Sequence, residues 1–321
     1  MFQRLIEGRK IQFMKYHWPA VIMSAVLIVA AIGVTATRGL NFGIDFVGGS
    51  EIEIVKPDGY DQQTVRDELN ALGLGQIALN EARGTGVDAV EVVVIRIQSQ
   101  TDVAPEDAEA AQQAATDAVE NTLVARYPDL EIRSRSSVGP KVSGELMRQG
   151  VIALVVALSL MLVYIWFRFE LQYSLGAVAA LTHDVILTVG MFAALQLEFN
   201  LSTIAALLTI VGYSMNDTVV VFDRIREEKR KYKKLPDAEV IDIALNGTLS
   251  RTLLTSGTTL IALLAIFFLG GPVLRGMSFA LIWGVVIGTY SSIFVASTLL
   301  LFVGLRGDTA PKEVQGFQGA P

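Results

Sequence analysis

Asp217 stands in an uncharged run from Phe199 to Phe222, with Asn216 beside it and no ionisable partner inside the run. His183 and Asp184 lie near the middle of a second such run, Leu175 to Leu195. An ionisable side chain in a segment apolar enough to cross a membrane costs about 2.5–3.5 kcal/mol even on insertion scales, so each is a functional candidate by default. Arg251 opens a further apolar run and is followed by Thr252, Thr255, Ser256, Thr258 and Thr259. A carboxylate on one helix and a guanidinium on the next can pair, with hydroxyls around them bonding across helices or lining a wet cavity. A protonatable group beside a fixed cation gains and loses its proton as the pair opens and closes, which is the physics of a proton-coupled conformational cycle. The bland alternative is that these charges only hold helices together. Tyr213 and Asp217, four apart, share a helix face, as do Asp217 and Arg224, seven apart. Asp223 and Arg224 stand at the boundary, either in the same network or as charges that snorkel into the headgroups.

Other chemistries are excluded by residue type. The chain has no cysteine and two histidines, which removes disulfides, thiolate sites, cysteine nucleophiles and a histidine-rich metal cluster. It has no His-Glu-x-x-His site, Gly-x-x-x-x-Gly-Lys loop or Gly-x-Gly-Asp motif. No enzyme activity, metal or cofactor is expected, and the net charge of −6 argues against a nucleic-acid partner.

The elements that must position these residues follow from composition. Of 321 residues, 52% are apolar and only 18% charged, against about 25% charged in soluble domains. A spanning helix needs about 20 mainly apolar residues. Six stretches meet or approach this, roughly Trp18–Thr37, Gly150–Phe167, Leu175–Leu195, Phe199–Phe222, Leu253–Leu269 and Met277–Leu305. The first is too long for a signal peptide, lacks a small-x-small cleavage site, and is read as a retained anchor. Fifteen basic residues fall on one side of the resulting zigzag. They are Arg4, Arg9, Lys10, Lys15, Arg168, Arg224, Arg226, Lys229, Arg230, Lys231, Lys233, Lys234, Arg251, Arg306 and Lys312, so both termini are expected in the cytoplasm. The short loops opposite offer only Arg275. The expected parts are a basic tail 1–17, helix 1 over 18–37, an outer domain with tethers over 38–149, helices 2–6 over 150–305 with a cytoplasmic loop at about 223–252, and a tail 306–321.

The outer segment carries 10 basic and 19 acidic residues, and it is patterned like a folded unit. Glu51–Val55 alternates as a half-buried strand, and 61–72 reads as a helix with Val65, Leu69 and Leu72 on one face. Ile77–Leu79 begins a short strand, Gly84–Gly86 a turn, and Val90–Ile97 a central strand rich in β-branched residues. A helix runs from Pro105 to Arg126, with Glu106 and Asp107 in its first turn, and Leu130–Arg133 resumes alternation. The order βαββαβ is that of a ferredoxin-like split unit, one sheet with two helices on one face. Its role is either packing or gripping a client. Gly43, Gly48 and Gly49 before the first strand are hinges or a tight turn. Ala280, Gly284, Gly288, Ser292 and Ala296 recur at every fourth position of the sixth run, a groove that admits another helix, within this chain or from another subunit.

Gly43-Ile-Asp-Phe-Val-Gly-Gly49, Val138-Gly-Pro-Lys141, Gly144-Glu-Leu146, Thr182-His-Asp184, the segment Gly212–Glu227 and Arg251-Thr-Leu-Leu-Thr-Ser256 together resemble the SecF family of the bacterial Sec export machinery. The resemblance covers nearly the whole chain, and Gly212–Glu227 is its most specific part. It implies a polytopic six-helix inner-membrane protein with one periplasmic α+β domain, related to the resistance-nodulation-division transporters. It implies pairing with SecD in a pseudo-symmetric bundle, with YajC, the SecYEG translocon and translocating precursors as further partners besides membrane lipid. It also implies use of the proton-motive force to help pull precursors outward after the SecA step. In that family the aspartate of Asn-Asp-Thr and the arginine of Arg-Thr-x-x-Thr-Ser belong to the proton pathway; these match Asp217 and Arg251. His183, Asp184, Asn216, Thr255 and Ser256 are then supporting polar groups. Two other readings stand at this stage: a small-molecule exporter of the related superfamily, for which one outer loop is thin support, and a passive assembly factor.

Overall fold

A backbone in hydrocarbon must satisfy its own N–H and C=O groups, and a helix does so within one segment. The apolar runs accordingly fold as helices, most of them extending beyond the run that dictates them. This computed structural model describes residues 11–83, 90–100, 104, 107–169 and 171–305. The expected turn at Gly84–Gly86, the helix-start residues Pro105 and Glu106, and the basic residues Arg4, Arg9, Lys10, Arg306 and Lys312 lie outside the described residues. A 3₁₀ turn, Phe13–Tyr16, leads into α1, His17–Arg38, and together they form the first of six helical segments long and apolar enough to cross a membrane.

After α1 come a two-residue strand β1 (Asn41–Phe42) and a single helical turn (Ile44–Val47). The outer unit then runs β2 (Gly49–Val55), α2 (Gln62–Asn70), β3 (Ile77–Arg83), β4 (Glu91–Gln98), α3 (Ala108–Arg126) and β5 (Ile132–Val138). Its four strands pair antiparallel in the order β3-β4-β2-β5. Period-two alternation decides which face is covered. Ile52 and Ile54 of β2 and Val93, Ile95 and Ile97 of β4 bury against Val65 and Leu69 of α2 and Ala115, Val119 and Leu123 of α3. Each such aliphatic side chain contributes about 1.5–3 kcal/mol of burial. On the opposite face Arg96 pairs with Glu51 across the β2–β4 ladder at 2.8 Å. Leu72, expected on the buried face of the first helix, is 36% exposed. The helix ends at Asn70, and Gly73, at φ +69°, turns the chain away.

The remaining spans are α4 (Pro140–Arg168), α5 (Leu171–Leu195), α6 (Leu201–Lys231) and α7 (Asp237–Leu269), with a second two-residue strand, β6 (Glu198–Phe199), between α5 and α6. The sixth is composite: α8 (Gly271–Tyr290), a π-helical segment Ser291–Ala296, and α9 (Ser297–Val303). Segment 223–252 is almost wholly helical, with only 232–236 outside α6 and α7. Lys229, Arg230 and Lys231 end α6 while Asp237 and Glu239 begin α7, each complementing its helix dipole. Lys229 closes the turn on Asp237 at 2.6 Å. The middle of α5, α6 and the sixth segment is buried, whereas α1, α4 and α7 turn most of their apolar surface outward.

Candidate functional site

α6 begins at a capping box, in which Asn200 accepts from the Thr203 backbone and the Thr203 hydroxyl accepts in return. From that fixed start the helix carries Ser214, Asp217 and Thr218 to the bundle interior, while Asn216 faces outward. Asp217 is 4% exposed, and its Oδ2 is buried without a hydrogen-bond partner among the described residues. Arg251, on α7, is close enough for its charge to act on the Asp217 carboxylate. Among the described residues, however, no ion pair joins them. Arg251 is exposed and lines an open groove between α6 and α7 with Val220, Asp223, Arg224, Glu227, Gly247 and Thr248.

The hydroxyls after Arg251 divide into two sets. Thr255, Thr258 and Thr259 bond back to carbonyls of their own helix. Ser256 instead crosses to α8, with its Oγ 2.8 Å from the Thr289 hydroxyl, and it accepts a longer bond from Tyr213 of α6. Arg224 does not reach Asp217: it pairs with Glu228 at 2.8 Å and Glu227 at 2.9 Å. Asp223 accepts two bonds from Arg168 of α4, at 3.0 and 3.2 Å. Both boundary charges are therefore engaged at the helix ends.

His183 and Asp184 sit deep in the bundle, 2% and 1% exposed. Asp184 is a hub. One carboxylate oxygen faces His183 Nδ1 at 3.0 Å, and the other accepts from Ser214 of α6 at 2.6 Å and from Ser291 at 2.8 Å. Thr218 and Ser292 join their hydroxyls at 2.8 Å one turn further along. The small-residue row makes this approach possible. A side chain at Gly284 would strike Ile210, one at Gly288 would meet Ser214, and Ala296 lies against Gly176 of α5. Ala280, Ser292 and Ala296 are fully buried, so the groove is filled by helices of this chain.

The glycines before β2 mark the junction between the outer unit and the bundle. Gly43 has an ordinary extended conformation, but its N–H donates to Phe199 and a Cβ there would run into Glu198. Gly48 and Gly49 have φ of +75° and +120°, and a Cβ on Gly49 would strike the Ile97 carbonyl. β1 pairs in parallel with β6, Asn41 opposite Glu198 and Phe42 opposite Phe199. Asp45 accepts from the Leu201 N–H at the first turn of α6, 2.9 Å away. Arg96, besides Glu51, pairs with Glu198. Sequence reasoning did not find Asp45, Arg96, Glu198, Ser214 or Ser291. Their partners lie far along the chain, and the only local signal was that Asp45 and Ser214 fall inside the quoted motifs. No group of three or more potential metal-ligating residues occurs among the described residues.

Two family profiles match. Residues 118–306 fit "Protein export membrane protein SecD/SecF, C-terminal", and residues 33–55 fit the "SecD/SecF GG Motif". The protein translocase subunit SecF of Rhodobacter capsulatus is 46% identical over 96% of this chain and 93% of its own length. That of Vibrio alginolyticus is 40% identical over 98% and 97%. Among solved structures, SecDF from Thermus thermophilus, described as a translocon-associated membrane protein, superposes with a TM-score of 0.78 at 35% identity. The match covers 91% of this chain but 38% of that one, so the present chain corresponds to a minor part of the longer protein. SecDF in a super-membrane-facing form superposes at 0.65.

Proposed function

The chain belongs to the SecF proteins of the SecD/SecF family, and from that premise we propose that it is a proton-driven auxiliary subunit of protein export. In this reading it has six transmembrane helices in the bacterial inner membrane, both termini cytoplasmic, and a ferredoxin-like domain in the periplasm. It acts with SecD, alongside YajC and the SecYEG translocon, to pull or release precursor proteins at the outer face, and it performs no covalent chemistry.

The single observation that carries the reading is Asp217: a carboxylate buried in the bundle with one oxygen unpartnered, and a guanidinium near it but not paired. A structural ion pair would be closed, because one buried charge left without its partner is strongly destabilising. An open arrangement suits a group whose partner changes during a cycle. Arg251 lies on the outward side of α7, where SecD would supply the complementary carboxylate that this chain lacks. One charge crossing the membrane potential yields about 2.3 kcal/mol per 100 mV, enough to bias a two-state motion with a gap of a few kcal/mol. The strand pair β1–β6 and the Asp45 contact to the start of α6 supply a mechanical route from Asp217 to the outer unit.

The test is Asp217→Asn in the assembled complex. Co-purification with SecD is expected to persist while gradient-stimulated export is lost; full export by this variant would refute the assignment.

A further inference from the structure

No ion pair fixes Arg251 beside Asp217 among the described residues, so their separation depends on where α7 lies against α6. α6 begins beside β6 at the junction and runs away from it, so α7 starts at the end of the bundle remote from the outer unit. Toward its helical neighbours α7 is tied at two points. Lys229 holds Asp237 in its first turn, and Ser256 meets Thr289 and Tyr213 beyond Arg251. Between those points lies the open groove that Arg251 lines.

The same stretch of α7 is held on another flank by the amino-terminal segment. Asn246 accepts from the Ile11 N–H at 2.9 Å and donates to the Ile11 carbonyl at 2.8 Å. Its amide also donates to the Asp242 carbonyl at 2.7 Å, so both of its donor hydrogens and its acceptor are engaged. One turn earlier Asp242 accepts from the Met14 N–H at 2.9 Å, one of the donors that the start of a helical turn leaves without an internal partner. Phe13 and Met14 sink the turn into the core that Ile241 and Leu245 of α7 share. A side-chain amide that meets both backbone groups of one residue fixes direction as well as distance. Arg251 follows Asn246 by five residues, about 7.5 Å along a stiff helix, so a swing of α7 at Asn246 carries Arg251 with it. The attraction between two charges falls as they separate.

We propose that Asn246 and Asp242 are positioning residues: by mooring α7 to the amino-terminal turn, they hold Arg251 within reach of Asp217. The inference rests on the reading of Asp217 and Arg251 as one proton device, and adds to it the element that sets their spacing.

The experiment uses the full chain assembled with a cysteine-free SecD in vesicles that sustain a proton gradient. Asn246→Leu, close in size, removes all three amide bonds. Export is measured with and without the gradient, and the α6–α7 separation by electron paramagnetic resonance. This chain has no cysteine, so nitroxide labels go directly onto Thr209→Cys of α6 and Leu254→Cys of α7, both exposed positions. Asn246→Leu should lengthen or broaden the label separation by a few ångström and lose most of the gradient-stimulated export. Gradient-independent export and co-purification with SecD should stay at the wild-type level, whereas a merely structural role would lower both kinds of export together. An unchanged separation overturns the proposal, and so does a longer separation with stimulation intact. Should Asn246→Leu fail to assemble, Asn246→Asp replaces it, since it keeps the acceptor for Ile11 and loses both donations; the same readouts decide. Asp217→Asn is run in parallel. Full stimulated export by Asp217→Asn refutes the proton device and this mooring with it, while loss in Asp217→Asn beside full stimulation in Asn246→Leu refutes the mooring alone.

Discussion

Ser214 donates to Asp184 across the α5–α6 interface at 2.6 Å, one helical turn before Asp217 on the same face of α6. The carboxylate that accepts this bond also accepts one from Ser291, where the sixth segment changes to π-helical winding. Asp184 thus fixes both neighbours of the interior in register with Asp217. Bulges of this kind are frequent at functional sites.

Replacing Asp184 by Ala should therefore destabilise the bundle rather than merely lower activity. The buried Ser214 hydroxyl loses its acceptor, at about 1–3 kcal/mol, and Ser291 keeps only its longer bond to the Gly288 carbonyl at 3.1 Å. The thermal transition in detergent is expected to fall by several degrees, with Asp184→Asn falling less because one acceptor oxygen remains. A transition unchanged in Asp184→Ala would show that the hub does not hold the helices.

Two glycines should be intolerant for different reasons. At Gly284 the obstacle is space, because Ile210 is buried and has nowhere to retreat. Overpacking there is expected to cost about 1–3 kcal/mol for Gly284→Ala and more for Leu. At Gly49 the obstacle is backbone, since φ is +120° and the Ile97 carbonyl blocks a Cβ. Gly49→Ala should destabilise the outer unit by at least about 1–3 kcal/mol, while Gly144→Ala, inside α4 with open space around it, should stabilise by about 0.5–1 kcal/mol. Limited proteolysis of the outer unit checks Gly49→Ala, and the thermal transition in detergent checks Gly284→Ala and Gly144→Ala.

Much of this architecture was legible in the residues. The six apolar runs, the alternation of Glu51–Val55 and the β-branched richness of Val90–Ile97 are local signals that a chain cannot hide. Helix ends were less legible: apolarity stops at Phe222, but α6 continues to Lys231 because charged residues propagate a helix as well as apolar ones do. The candidate site divides the same way. Asp217, Arg251 and Asp184 are conspicuous because charge is costly in an apolar run. Ser214 and Ser291 are not, since a serine in such a helix commonly bonds its own backbone, as Thr255 does. Nor does any local pattern join Asp45 to the start of α6 or Arg96 to Glu198.

The junction should be measurable directly. Arg96 is the side chain shared between the sheet, through Glu51, and the α5–α6 turn, through Glu198. Its removal in Arg96→Ala leaves two partly buried carboxylates facing each other. Hydrogen exchange is expected to accelerate at β1, β6 and the first turn of α6, while the amides of β2 and β4 keep their protection. Equal acceleration throughout the sheet would mean that Arg96 supports the outer unit itself and not its attachment.

Asp61 caps α2 and accepts from both the Thr64 backbone and its hydroxyl, which hold its carboxyl below its ordinary value of 3.8. The folded value lies below the unfolded one, so the stabilisation is present above the unfolded pKa and is lost as pH falls through the folded value. The outer unit should therefore melt more readily below about pH 4. Asp61→Asn, which keeps a capping oxygen without the titration, should flatten that decline. A wild-type profile no steeper than the variant's would remove the cap from the account.

Asp217 and Arg251 should behave as one device. If the proton step needs the carboxyl to meet and leave the guanidinium, either loss stops the step, and the second loss has nothing left to stop. Asp217→Asn and Arg251→Gln should each reduce gradient-stimulated export to the level seen with a collapsed gradient, and the double variant should be no worse than either single one. Effects of residues acting in a single step are non-additive in this way. Arg251→Lys keeps the positive charge on a more flexible stem and should retain part of the stimulation. Independent roles would instead give a double variant whose defect equals the product of the two single defects. Export measured with and without a protonophore, in the four variants and wild type side by side, separates the two cases, because only the stimulated fraction depends on the pair.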